Sequence, residues 1–396
     1  MKEEYLHAIW RLKRLPVSNL FLTDGRAIKI LNTGWHNPDS GPDFFNGSIE
    51  IEGMRWNGNI EIHVKASDWY LHKHQDDAAY KNVILHIVFQ NDKDLFIDDQ
   101  KIPTLELQNL IDFNHWNKYR NLLLNQTWIP CENSIQEIEK QVVLNQIENS
   151  VVDRLNRKNQ ILVQTFADLE NDLLALYFEI YAKAFGLKVN NLPFIELTKR
   201  IDLKTFWKVS EKQRPILFLG VAGFFQDAVK FNLIHEKKEW LFLKKKFTLG
   251  EMELSSWKFK GLRPPSFPNL KIGQFATLCS FKEFFSIHEL NASQVLELLE
   301  KLKFSKDFRN NLLINAIIPI FWWNFERFQD AKMQEIALKL LSETKTENNQ
   351  IISKWKNLGI KCKSSFDSQG LLELKNELCA KSKCLTCKIG FAILKK

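Results

Sequence analysis

The sequence predicts an α/β (α+β) N-terminal domain built on a mixed sheet, a mainly α-helical body and a Cys-rich C-terminal tail. Three observations predict it. Polar and apolar residues alternate at period two through 44–52 and 59–65, as in half-buried strands. From about Trp116 to Lys339 apolar residues recur three and four apart, as on helices. Cys379, Cys384 and Cys387 crowd a Lys-rich terminal stretch. The implied divisions are 1–112, 113–340 and 341–396.

The elements follow in order. Lys2–Arg14 reads as a short helix with Tyr5, Ile9 and Trp10 on one face and Leu6 alongside. Pro16 stops it, since proline cannot continue a helix. Val17–Leu22 leads into a turn at Thr23-Asp24-Gly25, and Arg26–Leu31 is a strand. Turn residues make Asn37–Pro42 a loop. Phe44–Glu52 is a strand ended by a turn at Gly53. In the strand Asn59–Lys65, Ile60, Ile62 and Val64 take one face and Glu61, His63 and Lys65 the other. Asp68–Tyr80 is polar and becomes helical towards its end. Val83–Gln90 is a buried strand, and Leu95–Leu107 is a hairpin turning at Asp98-Asp99. Helical spacing marks Ile135–Arg157, Ala167–Phe185, Pro215–Phe231 and Ser293–Leu302.

Composition excludes several classes. With 45% hydrophobic and 26% charged residues, the chain is neither disordered nor a disulfide scaffold. The 30 Phe and 12 Trp favour an aromatic, well-packed core. The apolar runs Pro215–Phe225 and Leu312–Phe325 are too short or too interrupted to span a bilayer, so no membrane partner is expected. No secretory signal opens the sequence, which predicts a cytoplasmic protein with reduced cysteines. The net charge is +8, but residues 1–112 carry −5 and residues 113–396 carry +13. An acidic metal-site domain joined to a basic body suits action on a polyanion such as nucleic acid. Protein partners are not legible.

Five of the nine histidines lie within 51 residues: His36, His63, His72, His74 and His86. Asp39, Asp43, Glu61, Asp68, Asp76 and Asp77 stand among them. Imidazoles and carboxylates bind divalent metals and move protons near neutral pH. Asp43 opens one strand and Glu61 sits on the next, so the two carboxylates meet at one end of a hairpin and suit Mg²⁺ or Mn²⁺. His63 or Lys65 would then orient water or phosphate. Glu4 on the upstream helix, Asp68, His72 and His74 are supporting candidates. His86, between Leu85 and Ile87, reads as a hydrogen-bonded core histidine.

This layout resembles the PD-(D/E)XK nucleases, through Glu4 on a helix, Pro42-Asp43, and Glu61-Ile62-His63. His63 stands where those enzymes have Lys, and Lys65 lies one step further along the same face. The resemblance implies a nuclease-like fold and Mg²⁺- or Mn²⁺-dependent hydrolysis of DNA or RNA. The histidine at the lysine position keeps a second reading open: a non-catalytic nucleic-acid- or partner-binding module with a degenerate nuclease fold. A third comes from His72-Lys73-His74-Gln75-Asp76, which resembles the His-x-His-x-Asp motif of metallo-β-lactamase hydrolases, with Asp77 in place of their next histidine.

The tail pattern Cys379-x4-Cys384-x2-Cys387 has the spacing of a metal site for Zn²⁺ or an iron–sulfur cluster. Cys131 or Cys362 would supply a fourth ligand, Cys131 stapling the tail to the domain boundary. Arg263 opens the stiff run Arg263-Pro264-Pro265-Ser266-Phe267-Pro268 and is expected either to pair an acidic group or to meet a phosphate. End to end, the chain resembles the bacterial family known as domain of unknown function 2851. Gly41-Pro42-Asp43-Phe44, Gly58–His63, Ser67-Asp68-Trp69, His72-Lys73-His74, Ile84-Leu85-His86, Arg263–Pro268 and Cys384–Gly390 carry this resemblance. It implies a bacterial protein and brings no activity with it.

Overall fold

The alternating stretches form one hairpin in the middle of a mixed sheet of seven strands. In chain order the elements are α1 (Glu3–Arg11), β1 (Leu20–Phe21), β2 (Ala27–Asn32), β3 (Trp35–His36), β4 (Phe44–Ile51), β5 (Met54–Lys65), α2 (Asp68–Leu71) and β6 (Val83–Gln90). Then come β7 (Phe96–Ile97), β8 (Gln100–Lys101), β9 (Thr104–Glu106) and α3 (Phe113–Leu124). The strand order is β1-β2-β4-β5-β6-β9, with β3 also on β4. Pairing is antiparallel from β1 to β5 and parallel across β5, β6 and β9. The computed structural model describes residues 1–16, 19–37, 39–97, 100–125, 127–347 and 349–395.

The β4–β5 turn uses Glu52 and Gly53, both at positive φ (50° and 81°). Such turns match the strand twist, and Gly53 adopts that conformation without steric cost. Ile49, Ile51, Ile60, Ile62, Leu85 and Ile87 are buried in the sheet. Against β5 packs α1, through its buried Tyr5, Leu6, Ile9 and Trp10. Trp10 satisfies its indole N–H on the Thr33 carbonyl at 2.9 Å, which lets so large a side chain be fully buried. The helix ends at Arg11, short of the expected Arg14, because Lys13 turns to φ 49°.

Residues 68–80 also depart from expectation. The α-helical turn comes first, at Asp68–Leu71, and short 3₁₀ turns follow at His74–Asp76 and Ala78–Tyr80. Lys73, at φ 61° and ψ 31°, breaks the helix between them. Strands β7 and β8 pair as the expected hairpin, whose Asp98-Asp99 turn lies outside the described residues. Val17, Ser18 and Pro38 of the expected lead-in and loop also lie outside them.

The chain divides into two compact units, 1–143 with 377–396, and 144–376. The tail thus groups with the sheet. Arg11 Nη2 donates to the Leu385 carbonyl at 3.0 Å, and the Arg14 guanidinium lies 5.8 Å from the Phe391 ring centre. Helix Lys388–Lys395 packs on α3. The boundary at 143/144 falls inside the long helix α4 (Lys140–Asp168).

The second unit is helical and includes α5 (Leu173–Gly186) and α6 (Asn191–Arg200). The expected aromatic core is there: Phe178 and Phe218 stack on Phe275 with ring centres 5.4 Å apart in each pair. Gly220 lies under the Trp240 ring, where an added Cβ would stand 2.1 Å from a ring carbon. Among the described residues no helix is long and apolar enough to cross a membrane.

Candidate metal centre

Helix α1 sets the first wall. Its apolar residues face the sheet, which leaves Glu3 and His7, one helical turn apart, on a shared face with 3.9 Å between Oε1 and Nε2. His7 Nε2 lies 3.2 Å from Asp43 Oδ2. Burial pulls the His7 imidazole down, but Asp43, Glu3 and Glu4 outweigh it and raise its pKa. Burial, with Asp43 next, raises Glu3. The expected helix carboxylate was Glu4; its side chain is exposed, and Glu3 takes the place beside Asp43.

Asp43 and Glu61 meet as their strand positions imply. The Asp43 amide donates to Glu61 Oε2 at 3.0 Å, and the Ile62 amide donates to Asp43 Oδ2 at 2.9 Å. Glu61 is buried at 4% exposure on β5. Burial and the neighbouring Asp43 push its carboxyl up to about 9. A divalent cation at this spot would hold Glu61 ionised.

Two imidazoles, His63 and His74, flank Glu61, and a third, His72, meets His63. His63, two residues along β5, is 1% exposed and has Nε2 3.6 Å from Glu61 Oε1. Its Nδ1 is 2.8 Å from His86 Nε2, and its Nε2 is 3.2 Å from His72 Nδ1. His74 Nε2 is 3.4 Å from Glu61 Oε1. The left-handed Lys73 between them is a strained conformation for a residue with a Cβ, and it lets both His72 and His74 turn to His63. Tyr80 stacks on His74 at 3.9 Å between ring centres, and Trp69 meets His63, His74 and His86 edge-on.

One nitrogen each from His63, His72 and His74 lies within 4.8 Å of the other two. Small side-chain shifts would bring donors so placed within the separation of at most about 4.2 Å that bond lengths near about 2.1 Å allow. Burial first, then the positive fields of His74 and His72, pull His63 down to about 3. Burial likewise lowers His74 and His86. Both shifts favour the neutral ring of His63 and His74, the form that ligates metal. His86 is fully buried and hydrogen-bonded to His63, as its apolar strand implies.

Other expected residues stand apart. Lys65 is exposed; its amide donates to Asp68 Oδ2 at 3.0 Å, and its ammonium acts on Asp92. Asp77 caps a 3₁₀ turn through the Ala79 amide, and exposed Asp76 accepts from Gln75, so neither completes the His-x-His-x-Asp motif. Arg263 is exposed, and no hydrogen bond or salt bridge of its side chain is found among the described residues, so the expected carboxylate partner is not seen. Cys362 bonds Thr346 in the helical unit. Cys131 lies in the fields of Cys387 and Cys384, but no three cysteine sulfurs among the described residues fall within 4.8 Å of one another. Among the described residues the cysteine site expected from spacing is therefore not assembled within that reach, although Cys387 and Cys384 act on Cys131.

Glu3, His7 and Tyr80 were not singled out from sequence. The i, i+4 spacing of Glu3 and His7 opposite the apolar face of α1 was the available signal. Tyr80 carried none, because its contact with His74 depends on two short turns.

No curated protein and no solved structure matches the chain. The sequence model of the family described as "Protein of unknown function (DUF2851)" matches residues 3–304, which include every residue of this centre, and the chain belongs to that family.

Proposed function

We propose that the chain is a metal-dependent phosphodiesterase acting on nucleic acid, its ion held by His63, His72, His74 and Glu61. The observation that carries this reading is the convergence of three imidazole nitrogens within 4.8 Å beside a buried carboxylate. A mixed nitrogen and oxygen set suits Mn²⁺ or Zn²⁺ better than Mg²⁺, which prefers oxygen alone. A bound ion supplies a Lewis acid and a water that ionises near neutral pH. Asp43 stands beside Glu61 in contact with His7, and this pair would hold or pass a proton at Asp43 Oδ2. The order helix, Asp43 at the start of β4, then Glu61 on β5 agrees with what the nuclease resemblance implies. The +13 balance of residues 113–396 supports a polyanionic substrate.

One observation favours the non-catalytic binding module instead. Lys65 is exposed, and both ring nitrogens of His63 already face other histidines, so no ammonium stands where the nuclease resemblance places its lysine.

The test is metal analysis of the purified protein, followed by incubation with labelled single- and double-stranded DNA and RNA in Mn²⁺, Zn²⁺ or Mg²⁺. Bound metal and cleavage, both lost in Glu61→Gln and His74→Ala, are expected. Bound metal without cleavage assigns the binding module. A protein that takes up no metal and cuts nothing rejects the proposal.

A further inference from the structure

Within the helical unit lies a cavity of about 940 Å³, lined only by residues of that unit. Helix α4 brings Arg154, Arg157 and Lys158 to it, with Ile161 and Leu162 one turn on. That i, i+3, i+4, i+7, i+8 spacing places all five on one stripe of the helix. Helix α5 contributes Lys183, and Lys188 follows its end. Five cationic side chains line the cavity against one carboxylate, Glu347.

The cations are arranged rather than scattered. Glu373, 4% exposed, accepts from Arg157 Nε at 2.9 Å and Nη2 at 2.7 Å, and from Arg154 Nη1 at 3.2 Å. Arg154 Nε also donates to Gln369 Oε1 at 2.6 Å. One carboxylate thus positions two guanidinium groups without neutralising both. Lys158 Nζ is held by neutral acceptors, the Ile314 carbonyl at 3.2 Å and Asn315 Oδ1 at 3.1 Å. Burial, with Arg154 beside it, pulls that ammonium down to about 7. Lys183 and Lys188 are exposed and make no salt bridge among the described residues. The cavity therefore carries positive charge that its own carboxylates do not cancel.

Two π-helical stretches border it, Leu313–Ile317 with Asn315 and Leu374–Cys379 with Asn376. Such turns are rare and concentrate at functional sites. Here each brings an asparagine to the lining, and Asn191, Asn311 and Asn349 add three more. Amides both donate and accept, which suits a sugar or a heterocycle. Ile161, Ile180 and Pro319 supply apolar wall. The volume is in the range of small-molecule sites, about 300–1,000 Å³.

We propose that this cavity binds a phosphorylated small molecule of nucleotide size, its phosphate held by Arg154, Lys158, Lys183 and Lys188 and the rest by the asparagines and apolar wall. Arginine forks and lysine ammonium groups together suit a doubly charged phosphate. The proposal is independent of the metal centre.

Calorimetric titration of the full-length protein with AMP, ribose 5-phosphate, inorganic phosphate and adenosine tests it. AMP is expected to bind saturably, with adenosine at least about 10-fold weaker. Ribose 5-phosphate matching AMP would support a sugar phosphate as the ligand. The double variant Lys183→Glu/Lys188→Glu changes exposed residues and should melt like the wild type while losing at least about 10-fold in AMP affinity. Lys158→Gln, measured on folded protein, should show a loss of the same sense. The proposal is overturned by no saturable binding of any phosphate compound, by adenosine equal to AMP, or by unchanged affinity in the double variant. An oligonucleotide binding far more tightly than AMP, with the same lysine dependence, would also overturn it in favour of a polyanion surface.

Discussion

Asp43 and Glu61 pin each other through the backbone: the Asp43 amide donates to Glu61 Oε2, and the amide that follows Glu61 donates to Asp43 Oδ2. Neither carboxylate can swing away without breaking a bond that fixes the other. Two like charges are thus held together by design of the strand pair, and compensation must come from a proton, an imidazolium or a cation.

Replacing Glu61 separates these roles. Glu61→Gln keeps an acceptor for the Asp43 amide but removes the charge. Metal-free Glu61→Gln should melt at or above the wild type at pH 8, yet bind Mn²⁺ or Zn²⁺ at least about 10-fold more weakly. Glu61→Ala leaves the Asp43 amide without its acceptor and should be less stable by about 1–3 kcal/mol. Thermal melts and metal titrations read both. A Gln variant that retains full metal affinity would remove Glu61 from the ligand set.

In metal-free protein Glu61 and His63 should give opposite pH arms about pH 6.5. Above that, folded Glu61 keeps until about 9 a proton that the unfolded carboxyl, at 4.5, has released, so its contribution to stability falls as pH rises. The alkaline arm is read as the difference between wild type and Glu61→Gln, because Lys158 and Lys271, pulled down to about 7 and about 8, add stability as pH rises above those values. Below 6.5 the unfolded His63 takes up a proton that the folded ring refuses until about 3, so stability falls with acid. His86 and His74 are lowered too and add to the acid arm, outweighing Glu61 between 4.5 and 6.5. Each group contributes at most about 1.4 kcal/mol per pH unit. Bound metal, by holding Glu61 ionised, should abolish the alkaline arm. Urea unfolding from about pH 5 to about pH 9, with chelator and with Mn²⁺, decides it. Chelated wild type that gains stability over chelated Glu61→Gln towards pH 9 would contradict the geometry.

His7 should titrate above its ordinary 6.5. The stabilisation it draws from Asp43 is complete below 6.5 and is lost as pH rises through the raised folded value. Imidazole proton resonances followed against pH would show this, and Asp43→Asn should bring His7 back down. An unchanged His7 in Asp43→Asn would mean that the 3.2 Å contact carries no charge interaction.

Gly220→Ala should destabilise the helical unit. Alanine improves helix propensity by about 1 kcal/mol, but its methyl group meets the fully buried Trp240 ring, and overpacking of this kind costs about 1–3 kcal/mol. Pairing it with Trp240→Leu should give less loss than the two single losses added together. Strict additivity would show that the ring and the glycine do not compete for that space.

Thiol chemistry should rank the cysteines. Burial pushes Cys131 and Cys384 up to about 12 and raises Cys387, so all three are poor thiolates. Cys379 is only half-buried. Native protein treated with a thiol reagent near pH 8 and mapped by peptide should be labelled at Cys379 first. Cys131 reacting as fast would show that the packing around the tail is open.

Much of the sheet was legible because strand alternation is local: Ile60-Glu61-Ile62-His63 announces two faces in four residues. The Asp43–Glu61 meeting followed from adjacent strands alone. The meeting of His63 with His72 and His74 was less legible, since it hangs on one left-handed residue, Lys73, whose side-chain type gives no hint of that conformation. Choosing Glu3 over Glu4 required the helix phase, and one residue is a 100° rotation. For the cysteines, Cys-x2-Cys spacing is compatible with a shared ion but does not fix whether a third sulfur comes within its reach.

Residues 377–396 complete the unit that holds the imidazoles, although the whole helical unit intervenes in sequence. During translation the sheet therefore waits. Residues 144–376 emerge and can fold before the segment that supplies the Leu385 carbonyl to Arg11 exists. Until then the nascent sheet lacks the helix that packs on α3, so a chain released early presents that unfinished surface to chaperones and proteases.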